Sequence, residues 1–383
     1  MAISSADGSK ILRTYLPEAT AGTASAGAYQ TLRVKGGVKT DFTRNTFSSN
    51  ELRTDRQTSS FSYGTKSGQI SFPVEWSYGT YEDLMEAVMG GTWTTNVLKV
   101  GNTVRTFACE ETTSDLSILE RMTGCQFGSL SIGIGVDKIA EGDISGVYRG
   151  IKIAQTKGVN LAYDSAAKTI TRATAGFTSI DGWVNGDSIC GLGNTDAGNN
   201  NSTPWVITTL TDTAMTFTAA TGIVTKITAA GITLNLGTVA TSIVAATTTA
   251  PFDSFTGSII EGGATIAYVT GWDLKIDQDI KLNFCIGSDS AQSASVGTIK
   301  ITGNLSAYFV DEALRKKFAN GTATTLSLVL GSVAATKAYT FDLGTVKYTS
   351  NTKSSDASAI IQSIGFTATY TAADTTLKIT RTP

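Results

Sequence analysis

The strongest alternation of apolar and polar positions lies in GQISFPVEWSY (68–78). Ile70, Phe72, Val74 and Trp76 fall on one side, with Ser71, Glu75 and Ser77 on the other. A period of two predicts a half-buried strand. The period then changes. In TYEDLMEAVMGG (80–91), Tyr81, Leu84, Met85, Val88 and Met89 stand at i, i+3, i+4, i+7 and i+8. This predicts an amphipathic helix of roughly ten residues lying on a sheet, capped by Thr80 and stopped by Gly90-Gly91. TLRVKGGV (31–38) and ELRTDRQTSSFSYG (51–64) read as strand-like runs on either side of a polar segment, 39–50. Further strands are expected within 107–122, 127–137 and 142–150. Residues 1–28 are small, polar and aperiodic, and predict an extended arm.

The pattern recurs. SGQISFPVEWSYGTYEDLMEAVMGGT (67–92) and VGTIKITGNLSAYFVDEALRKKFANGT (296–322) share a Gly, an alternating strand, an aromatic-rich turn, a short helix and a Gly-Thr exit. Gly68 matches Gly297, Ile70 matches Ile299, Trp76 matches Leu305, Leu84 matches Leu314 and Gly91 matches Gly321. In the second helix Asp311 is the expected N-cap, with Leu314 and Phe318 inward and Arg315, Lys316 and Lys317 toward water or a partner. The match extends outward. Residues 266–288 stand where 31–64 stood, and strands at 343–350 and within 358–370 stand where 127–150 stood. Between the copies, 155–240 is Thr-rich and nearly uncharged, with turn signals at DG, NG and GNNN. It reads as a small inserted all-β domain, and TSIVAATTTAP (241–251) as a linker. The expected organisation is an arm (1–28), a first copy (29–152), the inserted domain (153–240) and a second copy (241–383). The fold class is mainly β, with one short α-helix per copy.

Composition narrows the function classes. The 383 residues are 16% charged and 41% hydrophobic, too apolar for disorder, and no apolar run reaches the ~18 residues of a membrane span. With 30 Lys+Arg against 32 Asp+Glu, no global field draws the chain onto nucleic acid. There is no histidine, which removes Ser-His-Asp and Cys-His catalysis, His-ligated metals and histidine switching. The 39 glycines and abundant Thr and Ser suit short strands joined by turns. Cys109, Cys125, Cys190 and Cys285 form no CxxC pair. They read as reduced, buried small hydrophobes in an intracellular product.

The remaining motifs are weak. GLGNTDAGNN (191–200) has a G-x-G but no following glycine and no βαβ unit, and reads as a loop tip. Asp277 and Asp279 lack the further oxygen ligands of a cation loop. Glu110, Glu111 and Asp115 lack the aromatic surroundings of a glycosidase pair. No catalytic, cofactor or metal site is assigned. In SNELRTDRQ (49–57), Glu51, Arg53, Asp55 and Arg56 alternate in sign. Such a segment faces solvent, or sits at a subunit boundary where charge alternation fixes register.

In several blocks the chain resembles the tail tube (major tail) proteins of long-tailed, siphophage-type bacteriophages. The blocks are SNELRTDRQTSSFSYGTKSGQISFPVEWSYGTYEDLMEAVMGGTW (49–93), GCQFGSLSIGIG (124–135), FTGSIIEGGATIAYVTGWDLKID (255–277), TGNLSAYFVDEALRKKFANGT (302–322) and TTLKITRTP (375–383). The resemblance implies a β-sandwich or half-barrel with one flanking helix in each copy. It also implies edge-to-edge joining of inner sheets into a barrel ring, and stacking of rings into a tube through which the genome leaves. Six tube folds make a ring in that family, so two copies per chain give a trimeric pseudo-hexamer, with a hexamer of chains as the fallback. The implied partners are other copies of the chain, the tape measure protein and genomic DNA inside the tube, and tail terminator and tail tip proteins. The implied place is the virion tail, assembled in the host cytoplasm, with no membrane, cofactor or enzymatic role.

A conduit for DNA must not hold phosphate, so acids are expected along the lumen. Glu51, Asp55, Asp277 and Asp279 are the candidates, each on a strand expected to line the channel. Arg53 and Arg56 are expected to pair at the subunit boundary. Asp41, Phe42, Arg44 and Phe47 are the candidates for ring stacking. The segment 155–240 looks like an accessory domain carried on a tube exterior. Trp183 and Trp205 are either its core or a glycan platform. The platform belongs to the alternative reading, a surface adhesin or carbohydrate-binding module. A histidine-free hydrolase using paired carboxylates is a third class.

Overall fold

The computed structural model of the chain describes residues 7–383, apart from 53, 56, 193, 195, 201–203, 219–221, 267, 333–336 and 356–358. It is mainly β, with two α-helices among the described residues. None of the described helices is long and apolar enough to cross a membrane. The chain divides into two compact units. The first comprises Met1–Leu32, Phe107–Gly124 and Gly150–Ala245; the second comprises Arg33–Thr106, Cys125–Arg149 and Ala246–Pro383.

In the first unit, β10 (Gln155–Asp164), β11 (Thr169–Arg172), β12 (Ser188–Leu192), β13 (Trp205–Leu210), β14 (Ala214–Phe217) and β15 (Lys226–Leu236) form a closed barrel in the order β10-β11-β14-β13-β12-β15. Trp183, Trp205, Phe177, Phe217 and Tyr163 fill it. Trp183 Nε1 donates to Thr156 Oγ1 at 3.0 Å, satisfying the one polar atom of a buried indole. Both tryptophans are therefore core. The DG and NG turns hold Gly182 at φ 77° and Gly186 at φ 90°, conformations open to glycine at no steric cost.

The same unit holds β1 (Ile11–Pro17), which pairs with β2 (Gly27–Thr31) and β6 (Phe107–Thr113). β7 (Ile118–Gly135) pairs through Arg121–Thr123 with β9 (Gly150–Lys152). Two expectations are corrected here. The arm does not lie wholly outside a core, because Thr14 and Tyr15 of β1 are buried in a ladder. The linker begins as β16 (Ala240–Val244), parallel to β2, with the Thr31 hydroxyl donating to Val244 O at 2.8 Å.

The second unit contains β3 (Lys39–Ser48), β4 (Phe61–Glu75), α1 (Glu82–Met89) and β8 (Glu141–Tyr148). It also contains β19 (Val269–Asp277), β22 (Lys300–Tyr308), α2 (Ala313–Ala319), β24 (Ala338–Ser355) and β25 (Ile360–Ala368). A second layer is built from β17 (Ser258–Glu261), β18 (Ala264–Thr265), β23 (Thr324–Leu330), the first half of β24, β26 (Lys378–Thr382) and β5 (Val97–Lys99). β20 (Lys281–Asn283) and β21 (Ser293–Ser295) form a two-stranded ribbon.

α1 lies where its periodicity put it. Leu84, Met85, Val88 and Met89 are buried, and Gly90 ends the helix at φ 60°. Thr80 does not cap it. The N-cap is Tyr81, and the Thr80 hydroxyl bonds Ser77 Oγ at 2.6 Å. In α2 the N-cap position is Glu312, although Asp311 Oδ1 accepts from Ala313 N at 2.8 Å. Lys317 is held by Glu261, 2.6 Å away. The strand expected over 31–38 ends at Thr31, and 51–60 is loop where described. The polar segment between them is instead the strand β3. Its residues are exposed or half-buried, so no alternation marked it; backbone pairing with β4 makes it a strand.

Candidate functional site

Eight strands of the second unit pair antiparallel in one row: β3-β4-β8-β7-β19-β22-β25-β24. The row consists of two four-strand sets that run in the same sense. In the first, a strand leading to α1 pairs with β8, and β8 with β7. In the second, a strand leading to α2 pairs with β25, and β25 with β24. β7 and β24 are both 18 residues long. Each carries a register shift at the same point: Phe127/Ser129 opposite Gly146 and Ser145, and Tyr348/Ser350 opposite Phe366 and Gly365. The sets join where β7 pairs with β19, from Ser129↔Asp277 to Gly135↔Gly271.

Strand alternation gives the row two faces. Ile70, Phe72 and Val74 of β4, Leu130 and Ile132 of β7, Leu274 and Ile276 of β19, and Ile364 and Phe366 of β25 are buried on one. Close packing there depends on glycine at two places, one in each set. A Cβ at Gly68 would come within 2.0 Å of Tyr148, and one at Gly303 within 2.4 Å of Phe366. The other face is open, small and polar. Ser71, Ser129, Ser131, Ser145, Thr302, Asn304 and Ser306 stand on it by register. Two shallow cavities of about 480 and 620 Å³ lie along it.

Acids outnumber lysines on the open face. By register it carries Asp41, Glu75, Glu141, Asp143, Asp273 and Asp277 against Lys39, Lys275, Lys300 and Lys347. Glu75 and Glu141 are directly opposed, and Lys35 pairs with Glu141. Burial pushes the Asp273 carboxyl above its ordinary pKa. Burial also raises Asp277, but the Asp279 N–H at 3.1 Å and the Lys275 ammonium at 3.2 Å outweigh it and hold that group low.

The predicted site residues fall in different places. Asp277 is on the open face. Asp279 follows the end of β19 at φ 48°, 3.4 Å from Lys281. Glu51 and Asp55 are exposed in the loop between β3 and β4, not on a strand. Arg53 and Arg56 lie outside the described residues. Asp41, Phe42, Arg44 and Phe47 are all on β3. Tyr148 donates its hydroxyl to Asp41 O at 3.0 Å. Arg44 covers the Tyr63 ring at 4.6 Å and lies 4.0 Å from Asp289. Lys66, 2.5 Å from Asp289, is the main cause of that carboxyl's lowered pKa. Phe47, Leu52, Phe61 and Tyr63 leave the end of the β3–β4 hairpin exposed and apolar.

Asp143 and Asp273 were missed, although each alternates with a buried neighbour, Ile144 and Leu274. Glu110 and Glu111 do not form a carboxylate pair: the first binds Arg121 and the second Arg13. Cys285 is exposed, against the expectation of four buried thiols. Among the described residues no cluster of His, Cys, Asp or Glu is placed to hold a metal ion.

Within the row, β3 and the 347–355 half of β24 have one sheet neighbour each among the described residues. The family model described as phage tail tube protein matches residues 8–368. The chain belongs to the phage tail tube protein family. Comparison with curated proteins gave no match. Membership of the tail tube family makes this a structural component of a phage virion.

Proposed function

We propose that this tail tube protein closes into rings by joining its eight-stranded sheet end to end with those of other copies, and that the rings stack into the conduit for phage DNA. The observation that carries the reading is the row itself. Its two four-strand sets repeat one pairing order, and at its ends β3 and the 347–355 half of β24 each pair on one side among the described residues, while the first half of β24 pairs with β23 and β26. On this reading 29–152 and 241–383 hold two tube units, 153–240 is an insertion and 1–28 an assembly segment.

Three chains per ring follow from the size of the channel. Strands spaced ~4.8 Å and tilted ~40° give 24 strands a backbone diameter of about 40–50 Å, which leaves room for a double helix inside the side chains. Six chains would double that diameter. The slight excess of acids on the open face suits passage of DNA, since lysine contacts to phosphate would retain it. The apolar end of the β3–β4 hairpin, including Phe47, is suited to contact the neighbouring ring. Other copies of the chain are the principal partners. The tape measure protein and DNA occupy the lumen, terminator and tip proteins the two ends, and assembly takes place in the host cytoplasm. With Trp183 and Trp205 buried in the barrel, the adhesin reading loses the aromatic platform that favoured it.

Negative-stain electron microscopy of the purified protein, concentrated at neutral pH, tests the reading. Hollow tubes or rings with threefold averages are expected. Sixfold averages with six barrels per ring would keep the tube and overturn the count. Monomers at every concentration, with or without tail initiator proteins, would overturn the function.

A further inference from the structure

The two helices of the row are not buried alike. α1 buries Leu84, Met85, Ala87, Val88 and Met89, whereas α2 buries Leu314 and leaves Phe318 37% exposed. One contact also sets them apart. Just beyond β19, the strand that continues the row past β7, Gln278 Nε2 donates to Ala87 O at 3.3 Å and to Val88 O at the end of α1. α2 stands beside β24, where the row stops. The two end strands also hold buried polar atoms with no partner: Thr40 Oγ1 on β3, and Nδ2 and Oδ1 of Asn351 on β24. Buried side-chain polar atoms are normally bonded; interior strands of the row hold such atoms too, Gln126 Oε1 on β7 and Gln362 Nε2 on β25, but those on β3 and β24 lie where the row has no further strand among the described residues.

The internal seam offers a register for joining them. The shared register shift aligns Gly146 with Phe366, and Leu130 and Ser131 with Asn351 and Thr352. Ile70 pairs with Gly146 and Gly303 with Phe366, so the pairing aligns Ile70 with Gly303 rather than with Ile299, its match in the sequence repeat. Through their outer neighbours, Asp41 and Phe42 then align with Lys275 and Ile276. At the β7–β19 seam Lys275 faces Ser131 and Ile276 faces Leu130.

Resting on the tube reading, we propose that Asp41 and Phe42 of one copy pair antiparallel with Thr352 and Asn351 of the next, in the register of the β7–β19 seam. The faces agree. Phe42 and Thr40 meet Asn351 and Lys353 on the core side, and Asp41 meets Thr352 on the open side. Thr40 and Asn351 become diagonal neighbours, within reach of a bond that satisfies both. Arg44 takes the place of Gln278 and brings a cation to the carbonyl end of α2. Asp41 and Phe42 thereby belong to ring closure rather than to stacking.

Cysteine pairs in the full-length protein, with Cys285→Ser to remove the exposed thiol, read the register. Asp41→Cys with Thr352→Cys is the matched pair. Asp41→Cys with Lys353→Cys is slipped by one residue. Ser131→Cys with Lys275→Cys is the internal reference, which closes within the chain and reports that the row is native. After assembly and oxidation with diamide, the matched pair is expected to give covalent trimers on a non-reducing gel. The expected yield is at least about tenfold that of the slipped pair, because directly opposed residues meet the Cα spacing of a disulfide. Thr43→Cys with Ser350→Cys repeats the reading independently. Tubes whose slipped pair cross-links better, or in which neither matched pair cross-links, would overturn the register and leave the tube reading standing. Absence of tubes at every concentration would overturn the tube reading and this pairing with it.

Discussion

Arg121 Nε lies 2.8 Å from Glu110 Oε1, and both side chains are buried. Glu110 also accepts from Val239 N at 3.1 Å and from the Thr238 hydroxyl, while Arg121 donates to Gly237 O at 2.6 Å. The pair thus fastens the chain as it leaves the last barrel strand. Removing one partner strands the other charge. Glu110→Gln or Arg121→Met is expected to lower stability by about 3–5 kcal/mol, and the double substitution by less than the two together. Urea denaturation followed by tryptophan fluorescence checks this.

Gly142 and Gly68 separate two kinds of close approach. A Cβ at Gly142 would meet the backbone oxygen of Ser131 at 1.9 Å and Trp76 Nε1 at 2.7 Å. At Gly68 it would meet the ring of Tyr148, which can swing. Gly68→Ala is expected to cost about 1–3 kcal/mol and Gly142→Ala more, since backbone in a paired strand cannot yield. Comparing the two variants' melting temperatures decides it.

Phe42 is 45% exposed in the single chain. Phe42→Asp is therefore expected to change monomer stability by no more than about 0.5 kcal/mol. Assembly is expected to stop, because a charge would be buried at the seam. Sedimentation velocity alongside calorimetry reads both effects. Loss of monomer stability, or normal tubes, would contradict the assignment.

Asp212 gives a pH dependence of known sign. Ser179 N at 2.9 Å, the Thr178 and Ser179 hydroxyls and Thr178 N donate to it and hold its pKa well below 3.8. A lowered carboxylate stabilises the fold above its unfolded pKa, and that contribution is lost as pH falls through the folded value. The first unit is expected to melt progressively earlier below about pH 4. In Asp212→Asn this part of the dependence is absent, as thermal melts between pH 2 and 7 would register.

The open face is expected to be indifferent to DNA until its charge is reversed. Asp143→Lys with Asp277→Lys adds two phosphate partners per chain. Assembled tubes should then bind DNA with a salt slope steepened by about 0.9 for each additional phosphate neutralised. Filter binding from low to physiological salt measures it.

Where one face of an element is buried, the sequence already spelled it out. β4 and α1 alternate at two and 3.6 because one side meets the core. β3 has no such side in the single chain, so Lys39–Ser48 reads as polar loop; its strand character resides in its partners. Phe318 has the spacing of an inward residue yet is 37% exposed. Of the lumen candidates Asp277 stands on the open face, while Glu51 and Asp55 sit in a loop. Asp143 and Asp273 carried a readable signal, since each follows the alternation of its strand. What local pattern could not supply was the order of the strands, because β7 meets β19 across more than a hundred residues of intervening chain.

That β7–β19 contact has a kinetic meaning. Joining two sheets within one polypeptide replaces a collision between molecules by a local search, at an effective concentration in the millimolar range for short flexible connections. In a ring of three chains every second joint would be complete before any encounter, and growth would need three associations where six separate units need six. The apolar joint of Leu130, Ile132, Leu274 and Ile276 is the one fixed at synthesis. On the proposed pairing, the joint of Thr40, Phe42, Asn351 and Lys353 would be made only on encounter between copies.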